Sequence, residues 1–146
     1  MLLQDQVYHE NLCIRKYTKY ANEAQDQQIK QMFNTHASHE QQHLNTLNQI
    51  LAGQVTSMGQ QQNQQSQATY QPQVSGAGNA VNQNDIALVN DMLVTEKYIS
   101  GTYDTVIFEC QDSNVRQALN HIQKEEQQHG EDLFNYMKSK GMYNPQ

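Results

Sequence analysis

Two stretches of this chain pair an acid with an imidazole at the same spacing. Glu40 and His43 lie within "HEQQH" (39–43), and Glu126 and His129 lie within "EEQQH" (125–129), 86 residues further on. On a helix, residues i and i+3 are neighbours on one face, so each motif presents a carboxylate beside an imidazole. Two more acids keep matching offsets: Glu10 precedes Glu40 by 30 residues, and Glu96 precedes Glu126 by 30. An unpaired buried carboxylate is costly, and four at one level would repel or take up protons. Two divalent cations would cancel the four charges. Carboxylate oxygens with two imidazoles suit iron or manganese, whereas zinc and copper are less suited to this ligand set.

Such side chains need helices to hold them. Residues 2–22, 28–52, 85–109 and 114–139 each carry apolar residues at spacings of three and four, which predicts four amphipathic helices. Glu10, Glu40, His43, Glu96, Glu126 and His129 all fall inside those apolar stripes. Asp26 and Asp112 or Ser113 stand where N-caps belong, and Gly53 and Gly141 where helices two and four end. In an antiparallel hairpin turning near residue 25, Glu10 and Glu40 sit at one height. The same holds for Glu96 and Glu126 about a turn near 111. The expected fold is all-α: a four-helix bundle of two antiparallel hairpins, 1–52 and 85–140, within one domain spanning 1–146.

The hairpins also match each other. A shift of 86 residues aligns Asp5 with Asp91, Glu10 with Glu96, Tyr17 with Tyr103, Asp26 with Asp112, residues 40–43 with 126–129, and Leu47 with Leu133, without a gap. This reads as internal duplication. Some repeated positions have ordinary explanations, such as Glu23 and Glu109 pairing with Lys30 and Arg116 at the hairpin ends. His9, His39, Glu125 and Glu131 read as surface groups; His36 and His121 read first as ordinary side chains, with an accessory role behind the ligands as the less favoured alternative. Tyr17 and Tyr103 read as core aromatics before redox tyrosines, with a phenol bonded to a ligand as the other role open to them.

Between the hairpins, 53–84 is Gln-rich, with Pro72, Gly76, Gly78 and no charged residue, and reads as a flexible crossover linker. The net charge of −6 disfavours nucleic acid and anionic membranes as partners, and no apolar run is long enough to span a bilayer. "MLLQDQVYHEN" lacks a basic start followed by an apolar run, so it does not read as a signal peptide. Cys13 and Cys110 read as reduced thiols, consistent with cytoplasmic synthesis.

The ligand pattern, with Phe33, Glu40, His43 and Leu47 in helix two, resembles the ferritin-like and rubrerythrin superfamily. Residues 96–145, through "KYISGTY" and "NYMKSKGMYNP", are similar to the Coat F domain of bacterial spore coat proteins, and the first hairpin resembles it more loosely. The resemblance implies a ferritin-like bundle made in the mother cell, located at the spore coat and partnered by other coat proteins, with a homodimer open to it. Two functions follow. One is a dinuclear Fe or Mn centre, bridged by two glutamates, that reacts with peroxide or dioxygen. The other is a structural coat protein whose polar layer is inert.

Overall fold

The computed structural model describes residues 1–55 and 81–142. These form four helices and, among the described residues, no strand: α1 (Leu2–Glu23), α2 (Gln27–Leu51), α3 (Gln83–Glu109) and α4 (Ser113–Ser139). Most of the linker expected over 53–84 lies outside the described residues. The expected helix limits hold to within a residue or two. At α3 the helix starts earlier than expected, because the Asn82 side chain accepts from the Asn84 and Asp85 amides and caps it.

The other caps act as their residue types require. Asp26 accepts from the Gln28 amide, and Asp112 from the Asn114 and Val115 amides. Gly53 and Gly141 have φ of 75° and 68°, the left-handed conformation that a side chain would strain. At both ends the following amide reaches back to close the last turn, Gln54 to Gln49 and Met142 to Met137. The expected Glu109–Arg116 pair is replaced by Arg116 donating to the Cys110 and Gln111 carbonyls, and Glu23 lies 3.7 Å from Lys19 rather than pairing with Lys30. Carbonyls left free at the end of a helix are closer acceptors for Arg116 than an acid on the outer face.

α1 packs along α2 and α3 along α4. The two hairpins then meet through α1 against α3 and α2 against α4. The turn of the first hairpin is tied to the second, since buried Asp85 accepts from the Gln25 and Asp26 amides. The core contains Tyr17, Phe33, Leu47, Met92, Tyr103 and Leu133, all essentially inaccessible. Each such aliphatic or Phe side chain contributes about 1.5–3 kcal/mol by leaving water. Interrupting this apolar packing at mid-height is a layer of six ionisable residues. No described helix is long and apolar enough to cross a membrane.

Candidate metal centre

The six predicted ligand residues meet at that layer. Glu10, Glu40, Glu96 and Glu126 are 0–1% exposed, and His43 and His129 are 1–2% exposed. Each helix supplies its part: α1 Glu10, α3 Glu96, and α2 and α4 one Glu and one His each, three residues apart on the inward face.

The side chains fall into two overlapping groups. Glu10, Glu40, His43 and Glu126 bring ligand atoms within 4.8 Å of one another, and so do Glu40, Glu96, Glu126 and His129. Glu40 and Glu126 belong to both groups. Each group keeps one further carboxylate and one imidazole of its own. Both imidazoles turn Nδ1 inward. His43 Nδ1 lies 3.2 Å from Glu40, 3.2 Å from Glu126 and 3.5 Å from Glu10. His129 Nδ1 lies 3.1 Å from Glu40, 3.6 Å from Glu96 and 3.8 Å from Glu126.

Polar atoms in this layer are left without hydrogen bonds. They are one oxygen each of Glu10, Glu40 and Glu96, both oxygens of Glu126, and Nδ1 of His129. Orphaned buried polar atoms are rare in folded proteins, and here only ion-pair contacts within the layer offset the cost of burying them. Here they all belong to the same six residues and converge. The residues present therefore fit divalent cations: the donor set is hard oxygen plus imidazole, and the orphan atoms are of the types that would hold such ions.

Electrostatics agree. Burial raises Glu10 and Glu96 well above the usual carboxylate range, reinforced for Glu10 by Glu40 and for Glu96 by Glu126. Burial opposes charge on His43 and His129, but the facing carboxylates outweigh it and hold both imidazoles well above their ordinary value. Without metal, the site thus gathers protons in place of cations. Cys13 is buried beside the same carboxylates; burial and their charge push its thiol far up, so it remains a neutral apolar group.

Two residues read from sequence as surface groups are in fact supports. Glu125 accepts from Nε2 of His43 at 2.7 Å, and His39 Nδ1 lies 3.0 Å from Nε2 of His129. Each reaches the histidine of the opposite hairpin, and positions 39 and 125 correspond under the 86-residue shift. A ligand imidazole with its outer nitrogen anchored is held in one tautomer and orientation. The anchor is a carboxylate on one side and an imidazole on the other. Burial would raise Glu125, but His43 brings it below the usual range, whereas burial and the nearby His129 lower His39 and keep it neutral.

The tyrosines cross over in the same way. Tyr17 on α1 hydrogen-bonds Glu96 on α3, and Tyr103 on α3 hydrogen-bonds Glu10 on α1. They are core aromatics and ligand partners at once. Fully buried His36 lies 3.1 Å from the Tyr17 hydroxyl, 3.0 Å from Asp132 and stacked on His129. Its equivalent in the second half is Ile122, so this contact chain exists on one side only. His121, 3.5 Å from Glu125, lies one step further out. His9 is half-buried against Tyr98 and away from the layer, as expected.

One comparison bears on the family, over less than half of the chain. Residues 84–146 match the Coat F domain. No curated protein and no solved structure matches the chain. The Coat F match covers α4 and all of α3 but its first residue, and with them Glu96, Glu126 and His129. The first hairpin, with Glu10, Glu40 and His43, lies outside the matched residues, narrower than the loose resemblance expected there.

Proposed function

We propose that this is a spore coat protein of Coat F type carrying a ferritin-like dinuclear iron or manganese centre that reacts with peroxide or dioxygen. The observation that carries the metal reading is the convergence of orphaned carboxylate and imidazole atoms from four helices on one buried layer. Glu40 and Glu126 would bridge, Glu10 with His43 would hold one ion, and Glu96 with His129 the other. The ions, when bound, supply the redox chemistry. The chain's own part is to exclude water from the layer, to fix both imidazoles through Glu125 and His39, and to hold a phenol against each terminal glutamate. The Coat F match supports the location at the spore coat.

Metal analysis tests this directly. Protein purified without chelator from cells supplied with both metals should carry about two Fe or Mn ions per chain. The Glu40→Ala/Glu126→Ala variant should carry none. A wild-type chain that takes up neither ion after anaerobic reconstitution would overturn the reading.

A purely structural coat role is the second reading, and one surface feature favours an assembly function. Tyr8, Val94 and Tyr98 on α1 and α3 are 64–66% exposed, with His9 packed edge-on against both tyrosine rings. Assembly that persists in the Glu40→Ala/Glu126→Ala variant would separate this role from the metal centre.

A further inference from the structure

Between α3 and α4 runs a groove of about 480 Å³, walled by Leu93 and Phe134 and reaching Glu96 and Glu126. It passes Ser100 and Gly130, and a Cβ built at Gly130 meets nothing within 4 Å. The corresponding positions of the first hairpin are Ile14 and Leu44, both half-buried beside the equally buried Glu10 and Glu40. The two halves share their ligand residues but differ here in bulk, and the groove lies where the side chains are small.

We propose that this groove admits a small uncharged molecule, of the size of dioxygen or hydrogen peroxide, to the Glu96–Glu126 side of the layer, with Ser100 and Gly130 as the residues that keep the way open. An anion would meet Glu126 at the inner end and Glu131 along the wall, which outnumber Lys97. A hydrated cation would have to shed water against Leu93 and Phe134. An uncharged molecule incurs neither penalty. Glu96 and Glu126, both members of the layer, line the groove's inner wall, which makes it an approach to the layer. The chemistry awaiting the molecule there rests on the metal-centre reading; the groove does not.

Filling the groove with the first hairpin's own residues tests this. In metal-free protein, dissolved dioxygen should enhance the relaxation of the Leu93 methyl protons, and Ser100→Ile/Gly130→Leu should lose most of that enhancement while keeping the helical circular dichroism. Gly130→Ala, for which the space is open, should lose part of it and serves if the double variant fails to fold. In ferrous-loaded protein, nitric oxide should bind about tenfold more slowly to the filled variant at unchanged metal content. Leu93 enhancement that is absent in the wild type, or indifferent to filling, overturns the proposal. Slower metal uptake with unchanged dioxygen enhancement also overturns it, by assigning the groove to ions. A chain that binds no metal refutes the proposed function, yet the metal-free measurement still decides the groove.

Discussion

At the scale of single residues, the layer of the metal-free chain holds protons. Glu10, Glu96, His43 and His129 all titrate high in the folded metal-free chain. A group with a raised folded pKa favours folding at low pH, and that contribution is lost as pH rises through its folded pKa. Burial would raise Glu40 and Glu126 too, but the facing imidazoles bring Glu40 down, and a hydrogen bond with Glu96 followed by the imidazoles brings Glu126 down, so their effect falls only below the ordinary carboxylate range. Lowered His36 and His39 work the other way below about 6.5, so the thermal midpoint of metal-free protein should fall as pH is raised from about 6.5 to about 8. Added Mn(II) should reverse that fall, most strongly at the alkaline end. A metal-free midpoint that climbs over this window would show that the four groups are not protonated as the geometry requires. The supporting residues make a separate prediction. Glu125→Gln removes a charged anchor from His43 and should weaken metal binding about 10–100-fold in a chelator competition. His39→Gln removes a neutral anchor from His129 and should have the smaller effect.

At the scale of helices, the ligands are as well placed as the caps and turns allow. Asp112 caps α4 with two amide bonds, and Asp112→Ala should cost about 1 kcal/mol in urea unfolding. Asp26 caps α2 but also accepts from the Tyr136 hydroxyl at 2.8 Å, joining the first turn to the end of α4. Asp26→Ala should thus cost more than Asp112→Ala, though both are N-caps at equivalent positions. Equal losses would mean that the Tyr136 bond adds nothing. Asp85 is a third carboxylate of this kind, capping not its own helix but the Gln25–Asp26 turn of the other hairpin.

At the scale of the molecule, neither hairpin can complete the site. Glu40 and Glu126 belong to both ligand groups, the tyrosines cross from α1 to α3, and the histidine anchors cross between α2 and α4. Metal binding should for that reason stabilise the whole bundle rather than one half. One ion at about 100 times its Kd adds about 2.7 kcal/mol, and the gain should appear as a single cooperative unfolding transition at higher denaturant. Two transitions, one of them metal-insensitive, would argue that the hairpins fold and bind apart.

Helix number, hairpin pairing and the six residues of the buried layer could be read from the chain because they follow from periods along it. The 3.6-residue repeat marks the inward face, Glu-x-x-His places two ligands on that face, and the offsets of 30 and 86 set them at one height. Glu125 and His39 could not be read this way. Each sits one step around the helix from a ligand, a position that looks outward on an isolated helix and meets a histidine only because α2 lies beside α4. The same is true of Asp85, whose partners are distant amides, and of the groove at Ser100 and Gly130, which is a matter of volume between two packed helices. The periodic pattern along the chain determined which residues face inward; only packing the two hairpins together decided what each of them touches, because contacts between hairpins depend on interhelical distance and rotation that no local spacing encodes.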